Sequence, residues 1–309
     1  MVFTVMSVRQ AAKRIIEWSL VAGQAGSIGR WRHRDKAVVL AYHNVLPQGA
    51  QPSGDRSLHM PYATFEAQMD HLDRTHEVVS LKQLFEGDGE RKRPHAAITF
   101  DDAYRGVIDV ALPVLHRRGI PATIFVAPGL LGDRSLWWDL LADPDTGVVP
   151  PEVRMRALER HRGRHDVVVR AEEPRIREMP SHARTVTVEE LLEATARFDV
   201  ALASHTWGHA NLLRLEPAEV ESEVERADQW LRKNTGGPSA YLAYPYGLCN
   251  RALETRLSGL GMTGFGLQGG MVSPVDLNDG STPLPRINIP AGLSLRGFEL
   301  RASGVFAGR

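Results

Sequence analysis

The sequence has little of three features that would each narrow its class. It contains one cysteine, Cys249, which excludes the internal disulfide framework that holds many small secreted domains together. No run of about 18 apolar residues occurs, so no segment reads as a transmembrane helix. Lysine and arginine together number 37, and so do aspartate and glutamate. Because the two signs balance, no excess of positive charge predicts a nucleic-acid partner.

The remaining composition is ordinary for a globular protein, with 43% apolar and 24% charged residues in a chain of 309. A chain of this length holds one large α/β domain or two small ones. The N-terminal segment does not resemble a secretion signal, because Arg9, Lys13 and Arg14 interrupt any apolar core. Together with the scarcity of cysteine, this predicts a cytoplasmic location.

The N-terminal segment instead has the spacing of an amphipathic helix. Its apolar residues recur on one side of such a helix: Val8, Ala11, Ala12, Ile15, Ile16 and Leu20. We predict that residues 1–34 comprise this helix and a glycine-containing linker at 23–29, and that residues 35–309 form the main domain. Two interpretations of the helix stay open: it packs on the domain, or its basic face docks on a membrane surface or a partner.

Short, largely apolar runs alternate with helical patterns along the main domain. Residues 38–41, 96–100 and 121–126 are such runs, typical of buried strands. A helical pattern at 105–118 separates the second run from the third. Strand, helix and strand in this order form a βαβ unit, so we predict an α/β fold with a parallel sheet. The carboxyl ends of parallel strands meet at one edge, where ligands bind.

Residues 133–185 interrupt this alternation. They contain a Trp-Trp-Asp cluster that starts at Trp137, a proline pair at 150–151 and many arginines. We predict a partly helical insertion over one face of the core, which is either a solvated excursion or a lid or wall of a substrate site. The loop at 47–61, rich in proline and glycine, could also line a cleft.

Polar side chains follow several of the predicted strands. Asp101 and Asp102 are adjacent, and because neighbouring residues of a strand point to opposite faces, the two cannot do the same work. His205 and His209 are four residues apart, so one loop or helical turn could bring both to one ion. One carboxylate and two histidines would leave a fourth position open, which is the pattern of catalytic zinc sites. His43 follows another strand and is a further candidate.

Three motifs lie far apart in the chain: Thr99-Phe-Asp-Asp-Ala-Tyr, His205-Thr-Trp-Gly-His and Tyr244-Pro-Tyr-Gly. In type and order they resemble the first three motifs of the polysaccharide deacetylases, the NodB-homology group also called carbohydrate esterase family 4. The resemblance runs from about residue 38 to residue 289, and the Tyr42-His43 strand end is similar to that of exopolysaccharide-type members. It implies a distorted (β/α) barrel of fewer than eight strands. It also implies a divalent metal, zinc first, with Co²⁺, Ni²⁺ or Fe²⁺ as alternatives.

The resemblance also implies roles for the site residues. Asp102, His205 and His209 would be the metal ligands. Asp101 would be the general base that takes a proton from a water on the metal, which becomes acidic enough to ionise near neutral pH. The metal and the backbone N–H of Tyr246 would hold the oxyanion of the tetrahedral intermediate.

The sequence departs from the family pattern at two positions. The third motif begins with Tyr244 where many members have an arginine that orients the base. Arg286 is our candidate for the missing cation, with a structural ion pair as the alternative. The late Leu-x-His motif, whose histidine is the general acid, is not visible near the C-terminus. We predict that His43 replaces it, because a protonated imidazole could give the leaving amine its proton.

Four aromatic residues are candidates for substrate binding. Trp137 and Trp138 could stack on a sugar ring, although packing within the insertion is an equally good interpretation. Tyr104 in the first motif either forms a hydrogen bond or packs, and Tyr246 lies in the third motif. The resemblance implies that the partner is an acetylated carbohydrate.

The predicted function is metal-dependent hydrolysis of N-acetyl groups on N-acetylhexosamine-containing glycans or their precursors. An O-acetyl carbohydrate esterase would use the same site. Two histidines and a carboxylate also describe a non-haem iron oxygenase, although the βαβ pattern disfavours it. A non-catalytic glycan-binding protein with a degenerate site is the remaining alternative.

Overall fold

The computed structural model describes residues 8–86, 93–278 and 283–306, with the side chains of residues 8–11 left aside. The described part therefore does not include residues 1–7 and 307–309 of the predicted segments, or the side chains of Val8 and Ala11. The strands are β1 (Ala37–Tyr42), β2 (Asn44–Leu46), β3 (His59–Pro61), β4 (Glu77–Val78), β5 (His95–Asp101), β6 (Ala122–Val126), β7 (Val200–Ser204), β8 (Tyr241–Ala243), β9 (Thr263–Phe265) and β10 (Ile287–Asn288). The helices are α1 (Val8–Ala22), α2 (Ala25–Arg32), α3 (Tyr62–Thr75), α4 (Leu81–Glu86), α5 (Leu112–His116), α6 (Trp137–Leu140), α7 (Pro151–Met155), α8 (His165–Ala171), α9 (Val188–Arg197), α10 (Pro217–Thr235), α11 (Arg251–Gly259), α12 (Pro274–Asn278) and α13 (Leu295–Ala302).

The main sheet confirms the predicted α/β class. Among the described residues, seven strands form one row in the order β10-β1-β5-β6-β7-β8-β9, and β4 pairs with β5 beside this row. All of these pairs are parallel. A bridge between Phe265 in β9 and Leu284, three residues before β10, brings the two ends of the row together. The sheet is therefore curled into a distorted (β/α) barrel, and its row has fewer than eight strands, as predicted.

The central strands are buried on both faces, which explains their nearly continuous apolar sequences. Every residue of β1, β5 and β6 is buried. Alternate residues face different cores: Val38 and Leu40 belong to the large cluster beneath the helices, whereas Val39 belongs to a smaller cluster that is rich in alanine. Asp101 and Ala97 are four residues apart in β5, so their side chains lie on the same face of the strand. The Asp101 carboxylate therefore lies on the side of the smaller cluster.

Helix α2 corrects the predicted linker at 23–29. The glycines there allow a close approach of α2 to the C-terminal helix. A Cβ atom on Gly26 would lie 2.7 Å from Oε1 of Glu299, and one on Gly29 would lie 2.6 Å from the carbonyl oxygen of Ser303. Glycine is a frequent loop signal, but here it serves helix packing.

The predicted insertion at 133–185 is partly helical, since α6, α7 and α8 lie within it. Its two ends meet, because the backbone N–H of Thr185 donates to the carbonyl oxygen of Arg134 at 2.9 Å. Thr185 also forms a backbone bridge with Tyr104, just after β5. The insertion is thus anchored beside the carboxyl end of the central strand.

His76, which follows α3, makes the stability of the fold sensitive to acid. It is 1% exposed, and its Nε2 lies 3.1 Å from the carbonyl oxygen of Ala302, so the ring can donate there. Burial lowers the pKa of His76 to about 3, although the Ala302 carbonyl acts in the opposite direction. The folded protein therefore keeps this ring neutral, whereas the unfolded chain takes up a proton below a pH of about 6.5.

We expect this difference to remove about 2 kcal/mol from the free energy of unfolding between neutral pH and about pH 5. Urea unfolding at both pH values measures the loss. The variant His76→Gln, which has no titrating group, should lose correspondingly less on acidification, whereas His116→Gln, at an exposed position, should behave as the wild type. Equal acid sensitivity of wild type and His76→Gln would show that His76 is not responsible.

Candidate active site

The polar residues that follow the strands meet at the carboxyl edge of the sheet. They surround a cavity of about 430 Å³, which is within the range of small-molecule sites. Its wall comprises residues from the strand ends, from the loop at 47–61 and from the insertion: His43, Asp55, Ser57, Leu58, Asp101, Asp102, Trp138, Arg154, His205, His209, Tyr246, Leu267 and Asn288.

Asp102, His205 and His209 form a compact group in this cavity. One ligand atom from each lies within 4.8 Å of the others, and all three residues are buried. The Nε2 atoms of the two histidines are 3.1 Å apart. Oδ1 of Asp102 lies 3.4 Å from Nε2 of His209 and 3.8 Å from Nε2 of His205. The structure thus brings together the three predicted metal ligands.

The electrostatic state of this group suits a cation. Burial lowers the pKa of both histidines, so both rings are neutral, as a metal requires. Nδ1 of His205 donates to the carbonyl oxygen of Ala243 at 2.8 Å, which leaves the lone pair of Nε2 facing the group. Burial and the neighbouring carboxylates raise the pKa of Asp102. A cation would offset the cost of ionising that carboxyl.

Two further observations show that these three residues suit a divalent metal. Oδ1 of Asp102 is buried without a hydrogen-bond partner among the residues that the structure describes, which is unusual for a carboxylate oxygen. A tetrahedral zinc ion with ligand bonds of 2.0–2.1 Å would require its ligand atoms to be about 3.3 Å apart. The separations of 3.1, 3.4 and 3.8 Å are close to this value. Asp102, His205 and His209 therefore fit a divalent metal.

Arg286 lies beside Asp101 and forms a two-pronged ion pair with it. Its Nη1 and Nη2 donate to the two carboxylate oxygens at 2.7 and 2.9 Å, and Nη1 is also 3.2 Å from Oγ1 of Thr99. Its guanidinium packs over the Phe125 ring. Burial opposes the charge on Asp101, but the ion pair with Arg286 acts in the opposite direction, and the pKa of Asp101 lies below the ordinary range. Asp101 is thus ionised and fixed in orientation.

Tyr244 occupies the motif position where an arginine was expected, but it points elsewhere. Its ring packs in the apolar cluster around α10 and α11, and a Cβ atom on Gly264 would meet its hydroxyl at 2.4 Å. The cation on Asp101 comes instead from Arg286, which is 185 residues away in sequence. The parallel register of β10, β1 and β5 makes this contact.

His43 follows β1 and lines the cavity with Asp101. Burial lowers its pKa to about 4; Asp101 acts against this shift and Arg286 adds to it. The ring is therefore neutral at pH 7. This differs from the protonated imidazole expected from the sequence, because strand-end position gives no measure of burial.

Tyr246 closes another side of the cavity. Its hydroxyl accepts a hydrogen bond from Nε1 of Trp137 at 3.0 Å and donates to the carbonyl oxygen of Gly163 at 3.1 Å. Its ring stands edge-on to His209, with the ring centres 4.5 Å apart. The insertion, which supplies Trp137 and Gly163, thus holds Tyr246 against a predicted metal ligand.

The four aromatic candidates divide into two groups. Trp138 and Tyr246 line the cavity, whereas Trp137 and Tyr104 are fully buried and absent from the wall that the described residues form. The hydroxyl of Tyr104 donates to Asp139 at 2.7 Å and accepts from Nε1 of Trp138 at 2.8 Å. Burial therefore favours packing over sugar stacking for Trp137, and Tyr104 forms hydrogen bonds, which was one of its two interpretations.

Strained backbone is concentrated at this site. Eight residues other than glycine have positive φ among those described, and five of them lie in or directly beside the three motifs: Asp102, Ala103, Thr206, His209 and Tyr246. Such conformations cost free energy and persist where the surrounding structure fixes them. Two of the three predicted metal ligands are thus held in an unfavourable backbone conformation.

Sequence reasoning missed a buried network behind the cavity. Asp139 accepts hydrogen bonds from Nε2 of His59 at 2.9 Å and from the backbone N–H of Asp55 at 3.0 Å. His59 and Asp139 are both fully buried. The Trp-Trp-Asp cluster contains Asp139, but nothing in the sequence assigned a role to that aspartate or to His59. The network ties the insertion to the loop at 47–61.

Four polar residues of the cavity wall were also missed: Asp55, Ser57, Arg154 and Asn288. Asp55 belongs to the loop that was expected to line a cleft, and Arg154 belongs to the insertion. Nη1 of Arg154 lies 3.9 Å from Oδ2 of Asp55. The insertion therefore forms part of the cavity wall, and its use as a wall of a substrate site stays a prediction.

Comparisons with known proteins concern the family and the fold of this chain. Residues 88–265, more than half of the chain, match the family model described as "Polysaccharide deacetylase". The protein YxkH of Bacillus subtilis (strain 168) is 23% identical over 269 residues, which cover 85% of this chain and 75% of YxkH. The fold is similar to that of the Streptococcus pyogenes deacetylase PplD in complex with acetate, with a TM-score of 0.61, 18% identity and coverage of 87% and 99% of the two chains. It is also similar to that of IcaB from Ammonifex degensii, with a TM-score of 0.61, 21% identity and coverage of 87% and 97%.

Proposed function

Because this chain belongs to the polysaccharide deacetylase family, we propose that it is a metal-dependent hydrolase of N-acetyl groups on N-acetylhexosamine-containing glycans or their precursors. The observation that carries this proposal is the pairing of two units in one cavity. Asp102, His205 and His209 fit a metal, and the next residue to Asp102, Asp101, is an oriented and ionised carboxylate. Metal-assisted hydrolysis of an amide uses both units. The cytoplasmic location stays a prediction of the sequence.

We assign the base step to Asp101. A bound divalent ion would act as a Lewis acid, which acidifies water and polarises the acetyl carbonyl. Asp101 removes a proton from the attacking water through a carboxylate oxygen. Arg286 has a positioning role, because its two hydrogen bonds hold the plane of the Asp101 carboxylate at one angle. The backbone N–H of Tyr246 is the proposed donor to the developing oxyanion.

We assign the acid step to His43. When the C–N bond breaks, the leaving nitrogen needs a proton, and the His43 ring lines the same cavity. Because this ring is neutral at rest, it has to gain the proton during the reaction. The proton that Asp101 removes from water is the available source. Acetate and a free amine are the products.

The rest of the wall suits a sugar. Trp138 offers an aromatic face, and Asp55, Arg154 and Asn288 offer polar groups to hydroxyls. An O-acetyl ester could enter the same cavity, but an alkoxide leaves more readily than an amine, so a proton donor favours the amide. A non-catalytic binding protein would not need the buried Asp101–Arg286 pair. The all-parallel sheet argues against an oxygenase.

The test combines metal analysis with acetate release. We expect about one divalent ion per chain, loss of activity with a chelator and recovery when zinc is restored. Acetate release should be found with N-acetylated mono- or oligosaccharides and should exceed that from matched O-acetylated sugars. His209→Ala should lose both metal and activity, while His116→Ala, an exposed control, should keep both. Full metal occupancy in His209→Ala, or acetate release from O-acetyl substrates alone, would contradict the proposal.

His43→Ala provides a separate prediction for the acid. We expect acetate release from an N-acetylated sugar to fall about 10²- to 10³-fold, with metal content unchanged. An aryl acetate, whose leaving group departs without a proton, should be hydrolysed at nearly the wild-type rate. A similar loss on both substrates would show that His43 does not protonate the leaving group.

A further inference from the structure

The two N-terminal helices pack on the domain with their less apolar sides. Glu17 of α1 is 5% exposed and accepts a hydrogen bond from Oγ of Ser294 at 2.6 Å. Helix α2 approaches α13 through Gly26 and Gly29, which have no side chains to bury. An amphipathic helix on a soluble domain usually directs its large apolar residues inward. Here a carboxylate and two glycines lie inward instead.

The large apolar residues of these helices face outward. Ile15 and Trp18 of α1 are 65% and 57% exposed, and Ile28 and Trp31 of α2 are 59% and 71% exposed. Each pair has a spacing of three residues, so its members lie on one face of their helix. In each helix this face is turned away from the packed residues. Scattered exposed apolar residues are common, but two isoleucines and two tryptophans on neighbouring helices mark an interaction surface.

The segment that forms these two helices has an excess of positive charge. Residues 8–36 contain seven lysines and arginines against two acidic residues, although the whole chain has a formal net charge of zero. One of those acids, Glu17, is directed inward. Arg14, Arg32 and Arg34 are exposed. The surface therefore combines exposed tryptophan with basic residues.

We propose that this surface, formed by Ile15, Trp18, Ile28 and Trp31 with Arg14, Arg32 and Arg34, docks the protein on an anionic phospholipid bilayer. Tryptophan is favoured at the boundary between headgroups and acyl chains. Arginine at the same level is attracted to anionic headgroups. In the described part of the chain no helix is long and apolar enough to cross a bilayer, so the contact is peripheral.

Charge also selects the bilayer over a second copy of this chain. In a twofold dimer the same surface would meet itself, and its basic residues would face one another. Such like charges repel when they are brought together. An anionic lipid surface has the opposite sign and an apolar layer beneath it. It therefore complements both properties of this surface.

The test is binding of the full chain to vesicles. We expect it to sediment with vesicles of phosphatidylcholine and phosphatidylglycerol in equal amounts, and much less with phosphatidylcholine alone. Added salt should weaken the binding. The variant Trp18→Ala/Trp31→Ala should bind at least about tenfold more weakly, and Arg14→Gln/Arg32→Gln should lose most of the preference for anionic vesicles. The matched control is Met155→Ala/Leu260→Ala, which removes large residues that are 60% and 50% exposed elsewhere and should bind as the wild type.

Circular dichroism and acetate release from a soluble substrate check that each variant is folded, since none of these residues lines the cavity. The proposal is overturned if the wild type does not bind anionic vesicles, or if the tryptophan variant binds as well as the control. It is also overturned if the wild type is a dimer in solution that the tryptophan variant converts to a monomer. These readouts do not depend on deacetylation.

Discussion

Asp101→Asn is expected to reduce acetate release by at least about 10³-fold while leaving the metal content of the protein unchanged. The asparagine amide cannot accept a proton from water. Its Nδ2 would also present hydrogens to the guanidinium of Arg286, where a carboxylate oxygen now accepts at 2.9 Å. The substitution leaves the three proposed metal ligands unchanged, since these are Asp102, His205 and His209. Metal analysis and steady-state kinetics on an N-acetylated sugar measure the two effects.

Two companion variants make this result specific. Asp102→Asn should lose metal as well as activity, because Asp102 supplies the proposed oxygen ligand. Asp70→Asn, at an exposed position on α3, should change neither. If Asp101→Asn stays active, or if it loses its metal, the proposed division of work between Asp101 and Asp102 is wrong.

Arg286→Met is expected to lower the free energy of unfolding by about 3–5 kcal/mol and to abolish activity. Asp101 is 1% exposed and Arg286 is fully buried, so the substitution would leave a buried carboxylate without its cation. Arg286→Lys should cost less but should not restore full activity, because an ammonium cannot donate to both oxygens in the geometry of a guanidinium. Urea unfolding and acetate release test both variants.

The pH dependence of this loss has a definite sign. Without Arg286, burial would raise the pKa of Asp101 above its value in the unfolded chain. The variant should therefore be least stable, relative to the wild type, near neutral pH. The difference in stability should shrink as the pH falls toward about 4, because the buried carboxyl of the folded variant takes up a proton and loses its charge. Below that pH the unfolded carboxyl also takes up a proton, and the gain ends.

A double variant separates the buried charge from other effects of losing the arginine. Asp101→Asn/Arg286→Met should be more stable than Arg286→Met alone, because it no longer buries an unpaired carboxylate. If instead the two single effects add, the ion pair does not contribute to stability in the way described. Phe125, which packs against the guanidinium, is unchanged in both variants and does not affect the comparison.

The alternation of strands and helices along the chain, and the motifs that suggest a family, were accessible from the sequence. The apolar runs and helical patterns predicted a parallel α/β sheet, since their period depends on local geometry alone. Residue type and spacing made the two histidines and one carboxylate candidates for a metal site. The resemblance of the motifs then pointed to Asp102, His205 and His209 as the ligands, which stays a prediction. The family model that matches residues 88–265 confirms the family suggested by those motifs.

The partner of Asp101 was only a candidate until the strands were arranged. Arg286 reaches it because β10 and β5 both flank β1 in parallel register, and no local pattern encodes that neighbourhood. The burial of Trp137 and Tyr104 was likewise undetermined, because an aromatic residue in an insertion can face solvent or a core. The His59–Asp139 contact joins residues 80 positions apart and has no spacing signal.

The N-terminal segment shows the same division. Its sequence predicted an amphipathic helix and left two uses open, and its glycines were interpreted as a linker. Only the tertiary structure decides which face of a helix is covered, because that depends on what packs against it: Glu17, Gly26 and Gly29 lie inward. Local sequence patterns thus determined the strands and the candidate metal ligands of this protein. Long-range packing decided which cation pairs with Asp101, the depth of each aromatic side chain and the exposure of Trp18 and Trp31.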